Sequence, residues 1–206
     1  GLASHAGVAP QDGVSAIAVA GLAIARLQQE GWHGLVEKPE GRGTANIGVI
    51  HGGEATNVVP PEVDIQAEAR SHDPAFRRKI VQTIREAFER AAQEVQNIHG
   101  QQARITWEER SDYEAFRLAD DEPCVLAAEA ALRSVGASPE RAISQGGLDA
   151  NWMTQRGIPT VTLGCGQVNP HTCQEYLILP EFRQACRAAL RLATAAESVP
   201  ALETTP

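Results

Sequence analysis

One histidine stands where a metal ligand is often found. His171 lies in the stretch "CGQVNPHTCQEY", in a turn rich in Gly, Asn and Pro that follows an apolar, strand-like run, and Glu175 comes shortly after it. A catalytic zinc takes about three protein ligands, nearly all of them His, Asp, Glu or Cys. The stretch shows no second strong ligand, so it equally fits a histidine on a surface loop, with Glu175 in a supporting or surface position.

Two further polar residues lie at the ends of predicted strands. His5 occurs in "SHAGVAP", a turn that leaves a strand, and Asn57 occurs in "GGEATNVVP", between a Gly-Gly turn and the next strand. An amide in that position can bind the peptide or carboxylate group of a ligand. The ordinary alternatives are an exposed loop histidine and an asparagine that bonds its own turn, and each stretch taken alone favours the ordinary alternative.

Arg70 ends the stretch "PEVDIQAEAR", on the polar face of a strand in which apolar and polar residues alternate. Its guanidinium group can bind a carboxylate through two parallel hydrogen bonds. The alternative, and the more usual outcome, is a solvated charge that pairs with Glu68 or Asp73.

Two adjacent glycines, Gly146 and Gly147, separate a predicted strand from a predicted helix in "ISQGGLDAN". Backbone amides at such a helix start form an anion-binding site. Asp149 and Asn151 could instead cap the helix without touching a ligand, and the sequence leaves the two interpretations open.

The elements that position these residues fall into two groups. Residues 1–110 predict the order β-α-β-β-α-β: a strand end over 1–9, a helix over 14–30, strands over 44–50 and 62–70, a helix from Asp73, and a strand over 103–109. Such a unit closes as a four-stranded antiparallel sheet with two helices on one face, the ferredoxin-like plan. The stretch between the first helix and the second strand, residues 31–43, is predicted to be a loop.

Both predicted helices of this first group have an expected buried face. For the first we expect Ile17, Ala18, Gly21, Ile24 and Ala25. For the second, which begins with Asp73 as its N-cap and Pro74 at the first helical position, we expect the stripe Phe76, Ile80, Ile84, Phe88, Ala91 and Val95. The last strand should bury Ala103, Ile105 and Trp107.

From about Ser111 the pattern changes to helices alternating with short strands. The predicted elements are helices over 123–134, 148–156 and 180–194 and strands over 142–145 and 159–163, with a frayed tail over 195–206. This order is typical of part of an α/β layer. Two strands do not make a stable sheet alone, so we expect this second unit to be incomplete.

Composition and charge narrow the function classes. The chain has 206 residues, 43% of them apolar and 21% charged, which is ordinary for a soluble globular protein. A net charge of −8 argues against nucleic acid and anionic membranes as partners, and no apolar stretch is long enough to span a bilayer. The four cysteines show no C-x-x-C spacing, which predicts neither a structural zinc nor a disulfide framework and fits a reducing, cytoplasmic location.

Taken in order, four motifs resemble a known family. "SHAGVAP", "GGEATNVVPPEVDIQAEARS", "QGGLDANWMTQRGIPTVTLGCG" and "HTCQEYL" resemble the di-zinc metallopeptidases that include carboxypeptidases, aminoacylases and aminotripeptidases, and in particular their peptidase T-like branch. The resemblance implies that residues 1–112 are the lid and dimerisation domain and that residues 113–206 are the C-terminal part of the metal-binding catalytic domain.

The resemblance also implies roles for single residues. His5 matches the lid histidine that reaches the partner subunit's active site and supports the scissile carbonyl, and His171 matches the last metal ligand. Asn57 and Arg70 match substrate-binding residues of the lid. Gly146 and Gly147 match the glycine-rich loop that lines the substrate site, although Leu148 stands where a third glycine is more common.

The resemblance predicts a hydrolase, an aminopeptidase-like exopeptidase that acts on small peptides as a homodimer. It implies two zinc ions per intact active site, with cobalt and manganese as alternatives. The family's other ligands and its general base precede the lid, so we expect this chain alone to be inactive and to hold no metal tightly. The alternative is a non-catalytic dimerisation or peptide-binding module.

Overall fold

The computed structural model describes residues 1–194 and divides the chain into two compact units. The first unit comprises Gly1–Ala115, and the second begins at Phe116. The described residues form an α+β fold with antiparallel sheets and five α-helices. The predicted tail over 195–206 lies outside the described residues.

The first unit is built on a three-stranded antiparallel sheet. Its strands are β2 (Gly34–Lys38), β3 (Gly41–Gly52) and β5 (Val63–Arg70), in the spatial order β2-β3-β5. A separate pair, β1 (Ser4–His5) and β4 (Val58–Val59), joins the start of the chain to the segment before β5. Helices α1 (Ala16–Gln29) and α2 (Pro74–Glu94) pack against each other and contact the sheet.

Helix α2 follows its sequence pattern closely. The Asp73 carboxylate accepts hydrogen bonds from the backbone N–H groups of Ala75, at 2.7 Å, and Phe76, at 3.3 Å, and so satisfies two of the donors that a helix start leaves unpaired. The predicted stripe is buried from Phe76 to Ala91, and Val95 is half-buried. This amphipathic helix therefore supplies much of the core of the first unit.

The predicted buried face of α1 is wrong except at Ile24, which is half-buried and packs against the core. The structure buries Val19, Ala20, Ala23 and Leu27 and leaves Ile17, Ala18, Gly21 and Ala25 exposed. Small apolar residues occur on nearly every face of this helix, so the sequence pattern alone does not fix which face packs against the core. The buried face is the one that carries Leu27, a large and fully buried residue.

The predicted loop over 31–43 is also wrong, because it contains β2 and the first residues of β3. The two strands form a hairpin whose register places Lys38 opposite Gly41 and Val36 opposite Gly43. Val36 is the one fully buried residue of β2. One buried residue, with glycines and Pro39 nearby, does not make the alternation of apolar and polar residues by which a strand is recognised. Strand β3 extends well beyond the predicted 44–50 at both ends.

A bulge in β3 shifts the pairing between Ile47 and Val49. Ile47 lies opposite Ala67, whereas Val49 lies opposite Gln66, so Gly48 is the extra residue. Ile47 and Val49 therefore face opposite sides of the sheet, although their spacing in the sequence would place them on one side.

Residues 103–109 do not form the predicted fourth strand in the part of the chain that the structure describes. They pair with no other strand there, and the nearest pairing is a single bridge between Gln96 and Gln102. The predicted inward residues Ala103, Ile105 and Trp107 nevertheless pack against the core, which confirms their side of the segment. The buried indole N–H of Trp107 has no hydrogen-bond partner among residues 1–194.

Up to Thr194, the last described residue, the second unit contains three helices and one short hairpin. The helices are α3 (Pro123–Ser134), α4 (Asp149–Gln155) and α5 (Leu179–Thr194), and the hairpin pairs β6 (Gln167–Val168) with β7 (Tyr176–Leu177). Helices α3 and α5 pack together through buried alanines, among them Ala128 and Ala188.

The predicted strands over 142–145 and 159–163 are not strands within residues 1–194. Val161 and Leu163 are half-buried with exposed neighbours between them, so the apolar alternation survives there. A strand also needs a hydrogen-bonded neighbouring strand. Among the described residues neither segment has such a neighbour.

No helix of the described chain is both long and apolar enough to cross a membrane.

Candidate functional site

The ring of His5 is held by the loop that follows it. Its Nδ1 atom accepts hydrogen bonds from the backbone N–H groups of Gly7, at 3.1 Å, and Val8, at 3.2 Å. In the neutral ring one nitrogen accepts and the other carries the hydrogen. Because Nδ1 is the acceptor, the hydrogen of neutral His5 lies on Nε2, and the exposed side chain offers an N–H donor to its surroundings.

Asn57 lies beside His5, although 51 residues separate them in the chain. Ala6 donates its backbone N–H to the carbonyl of Asn57 at 2.9 Å, and His5 lies opposite Val58 in the β1–β4 pair. The side chain of Asn57 is exposed. The structure therefore brings together two of the residues singled out in the sequence.

The Gly-Gly turn before Asn57 has a steric reason. Gly53 has a φ of +81°, a conformation that residues with a Cβ rarely adopt. A Cβ at Gly52 would lie 2.6 Å from the carbonyl oxygen of Glu62. Both glycines allow β3 to turn sharply into the segment that carries Asn57.

Asn97, which is far from His5 in the sequence, hydrogen-bonds the short turn that follows the His5 loop. Asn97 was not singled out from the sequence. Its side-chain amide donates to the carbonyl of Asp12 at 2.9 Å and to the side chain of Gln101 at 2.8 Å, and its oxygen accepts from the backbone N–H groups of His99 and Gln101. Asp12 ends the short 3-10 turn, Pro10–Asp12, that follows the His5 loop. The Asn-x-x-Gly turn in "QNIHGQ" was the available signal.

Arg70 is not brought to His5 and Asn57 by the contacts of the described chain. It ends β5, opposite Thr44, and the strand extends roughly 23 Å from Val63 to this end. Its guanidinium donates to Glu68 at 2.7 Å. That hydrogen bond raises the pKa of Arg70, against partial burial, which lowers it. The ion pair is thus the ordinary alternative noted for this residue, and carboxylate binding by Arg70 stays a prediction.

In the second unit Gly146 and Gly147 lie on an exposed loop before α4. Gly146 donates its N–H to the hydroxyl of Ser144 at 3.0 Å. The side-chain oxygen of Asn151 accepts from the backbone N–H of Leu148 at 3.1 Å, which caps the start of α4. Capping by Asn151 therefore accounts for this residue, and a substrate role for the two glycines stays a prediction.

His171 lies in the turn that joins β6 to β7, with an exposed side chain and a φ of +64°. The carboxylate of Glu175 accepts the backbone N–H of His171 at 2.8 Å and the side-chain amide of Gln167 at 3.0 Å. The first of these bonds, and then the second, lowers the pKa of Glu175. Glu175 therefore supports the loop, as the sequence allowed.

The described residues fit a metal centre only in part. His171 presents an exposed imidazole, a ligand that zinc and related metals accept. Within residues 1–194, however, no group of three or more His, Cys, Asp or Glu side chains is arranged to hold a metal ion. The described residues therefore do not by themselves complete a three-ligand site around His171.

Comparison with known proteins connects the two units to one family. Residues 1–96 match the family model of the M20 peptidase dimerisation domain. The Bacillus subtilis protein YqjE is 37% identical over 182 residues, which cover 88% of this chain and 46% of YqjE.

Two solved structures resemble the chain over 93% of its length and 48% of theirs, each at 36% identity. They are the aminopeptidase PepT from Bacillus cereus, with a TM-score of 0.69, and a tripeptidase from Staphylococcus aureus, with a TM-score of 0.72. The chain thus spans about half the length of these relatives. Residues 1–96 therefore belong to the dimerisation domain of the M20 peptidases, and over nearly its whole length the chain is similar to the peptidase T-like branch of that family.

Proposed function

We propose that the complete protein is a metal-dependent exopeptidase that hydrolyses a peptide or amide bond near a free terminus of a small peptide. In this proposal residues 1–112 are a lid that dimerises, and residues 113–206 are the C-terminal part of the metal-binding domain. Support comes from the match to the peptidase dimerisation domain and from similarity to an aminopeptidase and a tripeptidase.

The geometry of His5 carries the proposal. Two backbone N–H groups occupy its Nδ1 atom, so the neutral ring presents Nε2–H as a fixed donor. Amide hydrolysis develops negative charge on the carbonyl oxygen, and a preorganised donor aimed at that oxygen lowers the barrier. We assign His5 this role, in the active site of the partner subunit, with Asn57 beside it as a substrate-binding residue.

His171 is assigned as a metal ligand. Two zinc ions per complete site are proposed, with cobalt and manganese as alternatives, and such ions polarise the scissile carbonyl and lower the pKa of a bound water. Since a catalytic zinc takes about three protein ligands and the described residues contain no group of three possible ligands, further ligands must come from elsewhere. The chain by itself should therefore be inactive.

Arg70, Gly146 and Gly147 complete the proposed substrate-binding set. Arg70 would bind the carboxylate of a peptide, for which it would exchange or share its bond to Glu68. The backbone of Gly146 and Gly147 lies exposed and free of side chains, which suits close approach of an extended peptide.

Dimerisation is proposed to use the edge of the first sheet. Strand β2 pairs only with β3 among the described strands, so its other edge presents unpaired backbone donors and acceptors. Such an edge pairs readily with another strand. Leu35, the second residue of β2, is 55% exposed and adds an apolar contact for a second copy of the chain.

The proposed location is the cytoplasm, where the four free cysteines, Cys124, Cys165, Cys173 and Cys186, would stay reduced. A non-catalytic dimerisation or peptide-binding module is the second candidate. It is favoured by the lack of a three-ligand group within residues 1–194.

Two histidine variants of the complete protein test the proposal. His171→Ala should lose metal and activity together, because it removes a ligand. His5→Ala should keep its metal and lose about 10²–10³ in kcat, the effect of one donor to the developing oxyanion. Metal content by elemental analysis and kcat on a tripeptide are measured for both.

A mixing experiment tests whether His5 acts across the dimer. Combining His5→Ala with His171→Ala subunits should restore part of the activity, since one site in each mixed dimer then has both an intact metal centre and the partner's histidine. His99→Ala, whose side chain is 62% exposed, is the control and should match wild type. Equal metal loss in the His5 and His171 variants would contradict the assigned roles, and a complete protein without peptidase activity would favour the module.

A further inference from the structure

A carboxylate closes the loop that presents His171. Glu175 comes just before β7, and Gln167 begins β6, so the two residues stand at opposite ends of the connection. One oxygen of Glu175 accepts from the side-chain amide of Gln167 at 3.0 Å, and the other accepts from the backbone N–H of His171 at 2.8 Å. Both oxygens are thus already occupied by donors of the same loop.

The backbone of His171 needs such support. Its φ of +64°, like the φ of +52° at Asn169, lies in the left-handed region, which is unfavourable for a residue with a Cβ. A charged acceptor makes a stronger hydrogen bond than a neutral one. The bond from His171 to Glu175 therefore favours a conformation that the chain would otherwise leave.

The direction of the imidazole follows from this backbone conformation. The Cα–Cβ bond of His171 points differently at a positive φ than at a negative one, so a change in φ moves the ring away from its present position. Thr172 adds a second link, since its hydroxyl donates to the carbonyl of Asn169 at 2.8 Å and accepts from Gln174 at 3.1 Å. That link, however, does not reach the N–H of His171.

We propose that Glu175 is a positioning residue, which fixes the backbone of His171 and thereby the direction of its imidazole, and that it is not itself a metal ligand. The claim that Glu175 fixes the backbone of His171 depends only on the hydrogen bonds of the loop. The consequence for metal binding rests on the proposed function, which assigns His171 as a ligand.

Substitution with leucine and glutamine separates positioning from ligation. Glu175→Leu removes both acceptors at similar size. Glu175→Gln keeps an oxygen for the N–H of His171, and its amide can still bond Gln167 if the Gln167 amide turns over. A positioning role therefore predicts that glutamine rescues the loop, whereas a ligand role predicts that glutamine fails, because an uncharged amide is a much poorer ligand for a divalent metal.

The first measurement needs no metal. In Glu175→Leu, amide hydrogen exchange at His171, followed by NMR, should become at least about tenfold faster than in wild type, because the bond that protects it is gone. In Glu175→Gln the rate should stay within about threefold of wild type. Glu140→Leu, a change of the same kind at an exposed residue of the second unit, controls for loss of charge and should leave the rate unchanged.

The second measurement is zinc affinity of the complete protein. Glu175→Leu should bind zinc about 10–100-fold more weakly, as is typical when a residue that orients a ligand is lost, and Glu175→Gln should stay close to wild type. An unchanged exchange rate in Glu175→Leu would overturn the proposal. So would a glutamine variant that keeps the slow exchange but loses zinc as the leucine variant does.

Failure of the proposed function would look different. If no variant and no wild-type protein binds zinc, while exchange at His171 accelerates in Glu175→Leu and not in Glu175→Gln, the positioning role is supported and the metal role of His171 is wrong.

Discussion

Replacing Asn97 with alanine should destabilise the first unit by about 2–4 kcal/mol. Asn97 is only 8% exposed and is one of the few buried polar residues of the described chain. It makes four side-chain hydrogen bonds, two as donor and two as acceptor; one connects the turn over 97–101 to Asp12, and three lie within that turn. Alanine removes all four at once.

The magnitude follows from what replaces each bond. A typical intramolecular hydrogen bond contributes about 0.5–1.5 kcal/mol net, and more where a buried partner is left unpaired. Asp12, His99 and Gln101 are exposed residues, so water can reach part of their freed groups. Adding four such contributions gives an upper range for the loss of unfolding free energy, and partial replacement by water leaves its lower and middle part, about 2–4 kcal/mol.

The assay is urea unfolding followed by tryptophan fluorescence. Trp32 and Trp107 lie in the first unit, and a Trp152→Phe background removes the signal of the second unit. His99→Ala is the control, since it removes an exposed ring whose contact with Asp12 is 3.5 Å long, and it should cost less than about 0.5 kcal/mol. An Asn97→Ala variant as stable as the control would refute the view that this side chain joins the His5 loop to the rest of the unit.

Three shorter predictions follow from the same unit. Asp73→Ala should cost about 1 kcal/mol of unfolding free energy, because α2 loses its N-cap, and Asp73→Asn should recover most of it; equal losses in urea unfolding would contradict this role. The bidentate bond from Arg77, at 2.8 and 2.9 Å, holds the pKa of Glu114 below its ordinary value of 4.5, so its contribution to stability is present above that value and is lost as pH falls through the lowered pKa; the stability difference between wild type and Arg77→Gln should shrink on acidification, and a constant difference would refute it. The lid should form dimers at about micromolar concentration, a typical affinity for a modest interface, and Leu35→Lys at the exposed β2 edge should weaken them in light scattering; a wild-type monomer would contradict the proposed surface.

Apolar residues spaced at period two and period 3.6 correctly predicted strands and helices that pack against another element of the described chain. Strand β5 and the start of helix α2 were predicted nearly to the residue, because both have one face that packs against the core and one polar face. Helix α1 was located but rotated, since its small apolar residues give no clear contrast between faces. Strand β2 was missed because one buried residue, Val36, is the whole of its signal.

The two predicted strands of the second unit and the one over 103–109 failed for a different reason. An apolar alternation reports which side of a segment is buried, and Ile105 and Trp107 kept that side. It does not report whether a neighbouring strand is there to take the backbone hydrogen bonds. Pairing is a property of two segments, so the pattern of one segment cannot establish it.

The candidate site divides in the same way. The motifs singled out His5, Asn57 and His171, and the structure places His5 and Asn57 on neighbouring segments, through the bond from Ala6 to Asn57 and the pairing of His5 with Val58. Asn97 was missed, because the Asp12 carbonyl that it bonds lies 85 residues away in the chain and only a short Asn-x-x-Gly turn marks it. Glu175 was expected in a supporting or surface position, but its bond to the left-handed backbone of His171 leaves no pattern in a single sequence.

The loop around His5 also governs how that residue meets reagents. An electrophile attacks the nitrogen of a neutral imidazole that carries a lone pair, and in His5 that nitrogen is Nδ1, already covered by the N–H groups of Gly7 and Val8. The other nitrogen points outward but bears the hydrogen. The side chain of His5 is therefore exposed but slow to be acylated or alkylated. Covalent labelling, which is normally used to measure exposure, would wrongly report His5 as a buried residue.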